Sequence, residues 1–531
     1  MSVEHTIPVV VGVSGHRALR TEDYDALYAA VTRELQKLKG SCPHSPLVLL
    51  TSLAEGGDLL CAGAAAALNI PIVVALPMER ERYTKDFSEA DKARFDTHCA
   101  KAKSVFVVPT TEATPAEPDN DFFYRQAGIY VSAHSHVLLA LWDGDEASWD
   151  GCGTAAAVAF SLRGAYRPKS GVGLRSADNT AVLHIMTPRA GATGAAGGTR
   201  LLGNEAAFND ILAKTDEFNR LAADTNAAGQ LLPEHEPDNA VLGRLEVLYH
   251  VADALSLSFA KKYRRVLALL AAASTVVAAA FLLYDEVGLS WMLFFCGAML
   301  IGAWACRHYA VRSDCHRRYI EYRALAESLR VQAFLRYAGS ALEAADFFTW
   351  TQQTETAWVM DALCALTIGD APYREHDVRA CWVEEQRAYH QSAKKKTLRK
   401  SSRSDRIVSA ALVVSVALYV IALAFELLFG GLVFSPVMLF SNIEVWRVVL
   451  KVSLGSVSAA TLFIANYYGK LSLPRQLADH TKMARFYAKM LEKLSTQGQT
   501  DELLAVLARE ELTENGNWCS YQRDNRPDIS L

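Results

Sequence analysis

The chain has 531 residues, a hydrophobic fraction of 51%, a formal net charge of −4 and a mean hydropathy of +0.08. The length leaves room for about three domains, and the hydropathy predicts a mostly cytosolic protein with a minority of its length in lipid. The ten cysteines form no CxxC pair, which argues against a zinc site or a disulfide framework and favours a reducing compartment. Residues 1–13 lack a basic region and a small-residue cleavage site, so we expect no signal peptide.

The first 200 residues alternate short apolar runs with helical segments. The runs are continuously apolar, which is typical of strands buried on both faces of a parallel sheet. They lie at residues 7–13, 47–50, 71–76, 105–108, 137–142 and 182–185, with helical patterns at 23–38, 58–68 and 123–133. This alternation predicts the α/β class, a Rossmann-like doubly wound parallel sheet with a site at the carboxyl edge of its strands.

Glycine-bearing loops follow several of these predicted strands. Glycines at a strand-to-helix turn let backbone N–H groups approach a phosphate, and a helix N-terminus adds positive potential. In the alternative interpretation the glycines only make tight turns, Asp58 caps a helix, and Thr154 is a cap rather than a hydroxyl donor. The candidate ligand-binding residues in these loops are Gly15, His16, Arg17, Ser52, Glu55, Gly56, Gly57, Asp58, Asp143, Gly144, Gly151, Gly153 and Thr154.

These loops and the segments beside them resemble a known superfamily. The motifs are GHR at 15–17, SLAEGGD at 52–58, YRQAGIYV at 124–131, LALWDG at 139–144 and GCGTAAAV at 151–158. Together they are similar to the SLOG superfamily, which includes the LOG phosphoribohydrolases, the DNA-processing protein A fold and the nucleotide-sensing region of melastatin-type TRP channels. The resemblance covers residues 7–190 and implies a fold that binds a nucleotide-type small molecule.

One departure from that resemblance bears on catalysis. The LOG hydrolases carry GGxGTxxE, and the position of the glutamate is occupied here by Ala157. Losing a carboxylate that assists glycosidic chemistry favours binding over hydrolysis, with Glu55 and Asp58 left as substitute acids. We therefore expect no enzyme activity and no cofactor besides the ligand. The pair His134 and His136 has no third ligand nearby, so we also expect no metal site.

Four apolar runs dominate the rest of the chain. Helical periodicity at 205–224 and 242–259 leads into an uncharged run at 266–284, and a second run at 287–306 follows directly. About 20 apolar residues in a helix cross a hydrocarbon core of roughly 30 Å. A second pair lies at 407–425 and 452–468. The sequence therefore predicts an all-α membrane module with four transmembrane helices in two hairpins.

The distribution of basic residues predicts the orientation of these spans. Lysines and arginines cluster at 261–265, 307–323 and 394–406, whereas Asp285 and Glu286 occupy the first turn. Basic flanks favour the cytoplasmic side, so both termini are expected in the cytoplasm of a multi-pass membrane protein. The basic run at 391–406 favours contact with anionic lipid over nucleic acid, because an apolar span follows immediately. The outer connection at 430–444 is predicted to lie in the membrane interface.

The two hairpins look like diverged copies of one unit. The pair Tyr249-His250 lies before the first hairpin at about the same distance along the chain as Tyr389-His390 lies before the second. Helical segments of related composition follow the hairpins at 314–333 and 479–494. This arrangement is similar to SLATT domains, two-helix membrane effectors found beside SLOG modules in bacterial conflict systems. The resemblance covers about 245–500 and implies a role in antiviral defence, with a signal-producing enzyme encoded nearby.

The last span is the most polar of the four. Ser453, Ser456 and Ala460 share a helical face that can line a wet pore, and Gly455 with Ala459 forms a small-xxx-small pair. In the alternative, these small and hydroxyl residues only pack helices together. Four helices per chain are few for a pore, so a pore implies a homo-oligomer.

These observations predict a ligand-gated membrane effector that permeabilises the inner membrane. The alternatives are a membrane-tethered nucleotide N-glycosidase or phosphoribohydrolase, and a non-catalytic membrane scaffold. The predicted layout is a SLOG-like domain at 1–200, a helical connector at 201–262, a first SLATT-like hairpin at 263–345, a cytoplasmic helical and basic segment at 346–405, and a second hairpin with a C-terminal helix at 406–531.

Overall fold

The computed structural model of the chain describes residues 6–110, 114–146, 149, 151–164, 176, 178–189, 191–233, 240–369, 375–429, 443–470 and 472–524. Its contacts divide the chain into two compact units. The first unit contains Met1–Leu255, Glu321–Val378 and Gln499–Ser520, and the second contains Ser256–Ile320, Arg379–Gly498 and Tyr521–Leu531. Each unit therefore draws on segments that are far apart in the sequence.

A seven-stranded sheet organises the first unit. In sequence order the strands are β1 (Val9–Gly15), β2 (Leu47–Thr51), β3 (Ile72–Leu76), β4 (Ser104–Val107), β5 (Val137–Trp142), β6 (Ala181–Met186) and β7 (Thr199–Gly203). Across the sheet they run β4-β3-β2-β1-β5-β6-β7, all parallel except β7, which pairs antiparallel with β6. The chain first builds outward from β1 to β4 and then returns to pair β5 with β1, which creates a topological switch point between β1 and β5.

Helices cover both faces of this sheet, as expected for strands that are apolar on both sides. The helices of this region are α1 (Tyr24–Ser41), α2 (Gly57–Ala67), α3 (Arg80–Tyr83), α4 (Glu89–Lys101), α5 (Asn120–Ala133), α6 (Thr154–Arg163) and α7 (Glu205–Ala223). One core packs Val9, Val11 and Leu49 with α1 and α2, and the other packs Val10 and Leu50 with α5 and α6. The predicted α/β architecture with a Rossmann-like sheet is confirmed.

The six predicted strands are present, whereas β7 was not predicted. Residues 191–198, all of them small, lie between β6 and β7. β7 begins at Thr199 and lies at the sheet edge with partly exposed residues. A short edge strand lacks the continuous apolar run that identifies the central strands.

Helices from late in the sequence complete the first unit. They include the part of α10 (Cys315–Tyr337) from Glu321 onward, α11 (Trp350–Glu355), α12 (Ala357–Leu366) and α16 (Asp501–Asp524) up to Ser520. Trp358 of α12 is 1% exposed, packs at a tilt against Phe218 and edge-on against Tyr322, and donates its indole N–H to Glu321 Oε2 at 3.1 Å. These buried contacts tie α12 to α7 and α10.

Long helices form the second unit. They are α8 (Ala240–Val287) from Ser256 onward, α9 (Trp291–Arg312), α13 (Glu385–Phe429) preceded by a π-helical turn at Arg379–Glu384, α14 (Ile443–Lys470) and α15 (Leu473–Gln497). Four helices of the described residues are long and apolar enough to cross a membrane, and their most apolar windows are between 0% and 17% buried. The four predicted spans lie in these helices. Residues 430–442 of the predicted outer connection lie outside the described residues, and α14 begins at Ile443.

Candidate functional site

A cavity of about 730 Å³ opens at the carboxyl edge of the sheet, beside the switch point between β1 and β5. Ligands of doubly wound folds bind at this position, and drug-sized ligands occupy cavities of about 300–1,000 Å³. The structure brings most of the predicted loops together here. The predicted residues that line the cavity are Gly15, His16, Arg17, Ser52, Asp58, Gly151, Gly153 and Thr154.

Three of the predicted glycines serve close backbone packing. A Cβ atom on Gly15 would lie 2.7 Å from Gly57 Cα, and one on Gly57 would lie 2.8 Å from Gly15 Cα. Gly56 has a φ of +78°, and a Cβ atom there would meet the carbonyl oxygen of Arg17 at 2.1 Å. The loops after β1 and β2 therefore touch through their backbones, which only glycine permits. Gly56 and Gly57 support the cavity without lining it.

Asp58 joins the ends of these two strands. Its Oδ1 accepts the backbone N–H of Gly15 at 3.0 Å, and its Oδ2 accepts the Thr51 hydroxyl at 2.9 Å. The side chain is 3% exposed. Burial raises the pKa of this carboxyl to about 6, while hydrogen bonds from Thr51 and from the backbone of Ala54, Gly15 and Ser52 oppose the shift. The capping role that the alternative interpretation gave Asp58 is not observed, because Gly56 is the N-cap of α2 and Asp58 lies in its first turn.

His16 is held in one tautomer by the loop after β5. Its Nε2 accepts the backbone N–H of Asp143 at 3.1 Å, so the ring proton of the neutral imidazole is on Nδ1. Burial lowers the pKa of His16 and Arg189 lowers it further, against the attraction of Asp143. Asp143 itself accepts from Arg189 Nε at 2.5 Å. His16 therefore presents a neutral ring to the cavity at neutral pH.

The N-terminus of α6 opens into the cavity. Gly153 is its N-cap, with no side-chain cap hydrogen bond, and Thr154 is the first helical residue rather than the cap. The first amides of a helix have no carbonyl partner within it, and they carry the positive end of the helix dipole. A Cβ atom on Gly153 would have no heavy atom within 4 Å. A side chain there would occupy the space in front of these amides instead of disturbing the packing.

Arg17 supplies a cation next to an aromatic wall. Its guanidinium lies 5.0 Å from the ring centroid of Tyr124, and both residues line the cavity with the buried Tyr83. Flat aromatic faces beside a cation suit a ligand that combines a ring with an anionic group.

Several lining residues were not singled out from the sequence: Tyr83, Asp121, Tyr124, Cys152 and Arg189. Arg189 follows β6, a neighbour of β5, so the rule that places sites at the carboxyl edge would have found it. Tyr124 lies within the motif at 124–131, but nothing in its spacing indicated contact with Arg17. Tyr83 belongs to the four-residue helix α3, whose sequence carries no comparable signal.

Besides Gly56 and Gly57, three predicted residues do not line the cavity. Glu55 Oε1 accepts the backbone N–H of Ser88 at 2.6 Å, Asp143 binds His16 and Arg189, and Gly144 lies near Met186 and His184. Ala157 lines the cavity with a methyl group where the LOG-like pattern has a carboxylate. The two substitute acids, Glu55 and Asp58, are both engaged in hydrogen bonds to the protein's own loops.

His134 and His136, the pair considered as metal ligands, have separate structural roles. His134 Nε2 lies 3.2 Å from Glu343 Oε1, and His136 Nδ1 accepts the backbone N–H of Val10 at 3.1 Å. Burial lowers the pKa of His136 to about 4. Among the described residues, no group of three or more His, Cys, Asp or Glu side chains is arranged to hold a metal ion.

On α14, the candidate pore residues Ser453, Ser456 and Ala460 are half-buried. Beside them, a Cβ atom on Gly455 would lie 2.6 Å from Leu282 Cδ1 of α8, and Thr461 bonds Ser415 of α13 at 3.3 Å. Gly455 therefore packs helices together, as the alternative interpretation held for the small residues of this span.

Ion pairs connect the same helices near the predicted outer face. Arg447 of α14 bonds both carboxylate oxygens of Glu426 on α13, and Lys451 lies 3.2 Å from Glu286 at the end of α8. These ion pairs join α14 to α13, its partner in the second hairpin, and to α8 of the first hairpin.

Comparisons of this chain with models of protein families and with curated protein sequences give no match. The resemblances to SLOG and SLATT domains therefore stay predictions. The geometry of the cavity is the evidence for a ligand-binding site.

The buried Asp58 carboxyl predicts a pH-dependent stability. Because its native pKa is about 6 and its ordinary value is 3.8, the native state retains a proton that the unfolded chain releases. This contribution is full below pH 3.8 and is lost as the pH rises through about 6. Against Asp58→Asn, which cannot titrate, we expect wild type to lose about 1 kcal/mol of relative stability per pH unit in that window.

Thermal unfolding followed by tryptophan fluorescence between pH 4 and pH 8 measures this difference. Asp121→Asn is the matched control, because Asp121 lines the same cavity but is exposed. Parallel pH profiles for wild type and Asp58→Asn would contradict the prediction.

Proposed function

We propose that this protein is a ligand-gated membrane effector. Its sheet unit binds a nucleotide-type small molecule, and its four apolar helices then permeabilise the bacterial inner membrane. The observation that carries the proposal is the cavity at the switch point, with the uncapped N-terminus of α6 opening into it, on a chain with four helices of membrane-spanning length.

The chemistry of the cavity favours a phosphate-bearing ligand. Unpaired helix N-terminal amides bind anions, and Gly153 leaves the approach to those of α6 open. Arg17 adds a positive charge beside the rings of Tyr124 and Tyr83. A nucleotide combines the two features that this lining accommodates, an anionic phosphate and a flat ring.

Binding is favoured over hydrolysis. The position expected for a catalytic glutamate is Ala157, and the carboxylates of Asp58 and Glu55 are used by backbone N–H groups and by Thr51. A general acid or base must reach the ligand with a free proton site. The two carboxylates that could substitute for a glutamate are therefore engaged, so recognition is the proposed role, and the hydrolase alternative becomes an outcome of the nucleotide-binding test.

The membrane half of the proposal follows from the apolar surfaces of the long helices. Their most apolar windows are hardly covered by protein, so lipid or other copies of the chain must cover them. A conducting path would require several copies, which makes a homo-oligomer part of the proposal. The antiviral setting and a neighbouring signal-producing enzyme follow only from the resemblance to SLOG and SLATT domains.

The first test addresses the cavity. Gly153→Val should fill the space before the α6 amides and weaken nucleotide binding at least about tenfold without lowering stability. Arg17→Ala should cost about tenfold to a hundredfold through the lost charged contact. Calorimetry with mononucleotides, dinucleotides and cyclic nucleotides measures both effects.

Gly40→Val is the matched control for the first test, because Gly40 also has open space around it but lies at the end of α1, outside the cavity lining. Unchanged affinity in both cavity variants would place the ligand elsewhere. Consumption of the nucleotide by wild type would replace the proposal with the hydrolase alternative.

The second test addresses permeabilisation. In liposomes that contain the full chain, the nucleotide identified by calorimetry should cause ion leakage. Ser456→Trp should abolish leakage while leaving nucleotide affinity unchanged, because it adds bulk to a half-buried face of α14. Leu462→Trp is the control, since Leu462 is 68% exposed on the same helix. Equal loss in both variants, or no leakage in wild type, would refute a pore lined by α14.

The third test addresses orientation. Reporters fused at Leu531 and inserted at Gly288, between α8 and α9, should give opposite signals, cytoplasmic for the first and periplasmic for the second. Paired alkaline phosphatase and fluorescent protein fusions provide the measurement. A periplasmic signal at Leu531 would end the four-span arrangement.

A further inference from the structure

Two histidines meet in the packing seam between α13 and α15. On α13, the buried residues His390, Thr397 and Ser404 recur every seven positions. On α15, His480 belongs to the same seven-residue row as the buried Leu473, Tyr487 and Leu494. A seven-residue spacing is typical of a coiled-coil seam. In such a seam a buried polar pair fixes the register of the two helices.

The two imidazoles are directly hydrogen-bonded. His390 Nδ1 lies 3.1 Å from His480 Nδ1, and the ring centroids are 5.3 Å apart. His390 is 6% exposed and His480 is half-buried. One Nδ1 must donate and the other must accept, so this contact requires one proton between the two atoms.

Acid breaks this arrangement. When both rings are cationic, each Nδ1 carries a proton, no acceptor is left, and two like charges face each other in a partly dehydrated seam. Burial lowers the pKa of His480, with the neighbouring Asp479 opposing the shift. The folded contact thus favours the neutral ring, and its stability falls as the pH drops below the ordinary value of 6.5.

The surroundings of the pair are aromatic, with the basic Arg387 and Lys394 one helical turn from His390 on α13. Tyr389 of α13 lies 5.1 Å from the His390 ring and 6.3 Å from the His480 ring, and Tyr487 of α15 lies 5.6 Å from His390. Asp479 is the acidic neighbour on α15. Variants at both histidines therefore decide whether a pH response of this seam comes from the pair.

We propose that His390 and His480 form a proton-sensitive lock that holds α13 against α15 at neutral pH and releases it in acid. α13 continues from this seam into the apolar segment of the second hairpin, and α15, which begins at Leu473 with Ser472 as its N-cap, comes after α14 in the chain. Release would free both ends of that hairpin. The lock acts without the nucleotide, and so it extends the proposed function to sensing acidification at the cytoplasmic base of the spans.

Hydrogen exchange of the full chain in nanodiscs tests the lock. Peptides from 385–406 and 473–497 are compared at pH 7.5 and pH 5.5, after correction for intrinsic exchange rates and with a chelator present. One imidazole that must lose a proton to fold predicts about tenfold more opening at the lower pH. Peptides from α1 should keep their protection at both pH values.

Three variants separate the lock from general acid unfolding. The double variant His390→Phe, His480→Leu should remain protected at both pH values, and the double variant His390→Lys, His480→Lys should exchange fast at both because two permanent positive charges would then face each other. His98→Asn, on α4 of the other unit, should keep the wild-type response. A wild-type change below twofold, a response retained in the double variant, or equal loss of protection in α1 would each overturn the proposal.

Discussion

The hydrogen bonds of Asp58 hold together the edge of the sheet on which the candidate site depends. One carboxylate oxygen binds the amide at the end of β1 and the other binds the hydroxyl at the end of β2. The backbones of Gly15 and Gly57 can then approach closely, and His16 and Arg17 are carried to the cavity at the switch point. A buried carboxyl has a free-energy cost, which the four hydrogen bonds of Asp58 offset in part. The loop geometry is thus set by one residue that touches two strands.

Most of the sheet could be predicted from sequence because its central strands are continuously apolar. Such runs at β1, β2, β3, β5 and β6 have few alternatives besides strands with helices on both faces. β7 carries no such run, since its five residues form an antiparallel edge beside a stretch of small residues. The packing of α12 against α7 and α10 could not be predicted either. Its apolar composition indicates burial but does not identify Phe218 and Tyr322 as the partners of Trp358.

The candidate site divides in the same way. Sequence identified the loops correctly, because the carboxyl ends of parallel strands share one edge. It could not separate glycines that let backbones touch, Gly15 and Gly57, from Gly153, which leaves space open in front of a helix N-terminus. That difference depends on the atoms of a neighbouring loop. Glu55 also belongs to one of these loops, but its carboxylate accepts the backbone N–H of Ser88 and does not line the cavity.

A ligand can open the membrane helices only if it binds the open arrangement more tightly than the closed one. Moving an equilibrium from 1:99 to 99:1 requires a preference of about 10⁴-fold, or roughly 5.5 kcal/mol. This preference equals about two to four charged hydrogen bonds, at about 1.5–3 kcal/mol each, made by groups such as the α6 amides and Arg17 in the open arrangement only. α8 contains both Leu255 of the first unit and Ser256 of the second, with no break between them. A change at the cavity can therefore be transmitted along α8 toward the spans. Protonation at His390 and His480 would bias the same equilibrium from the second hairpin.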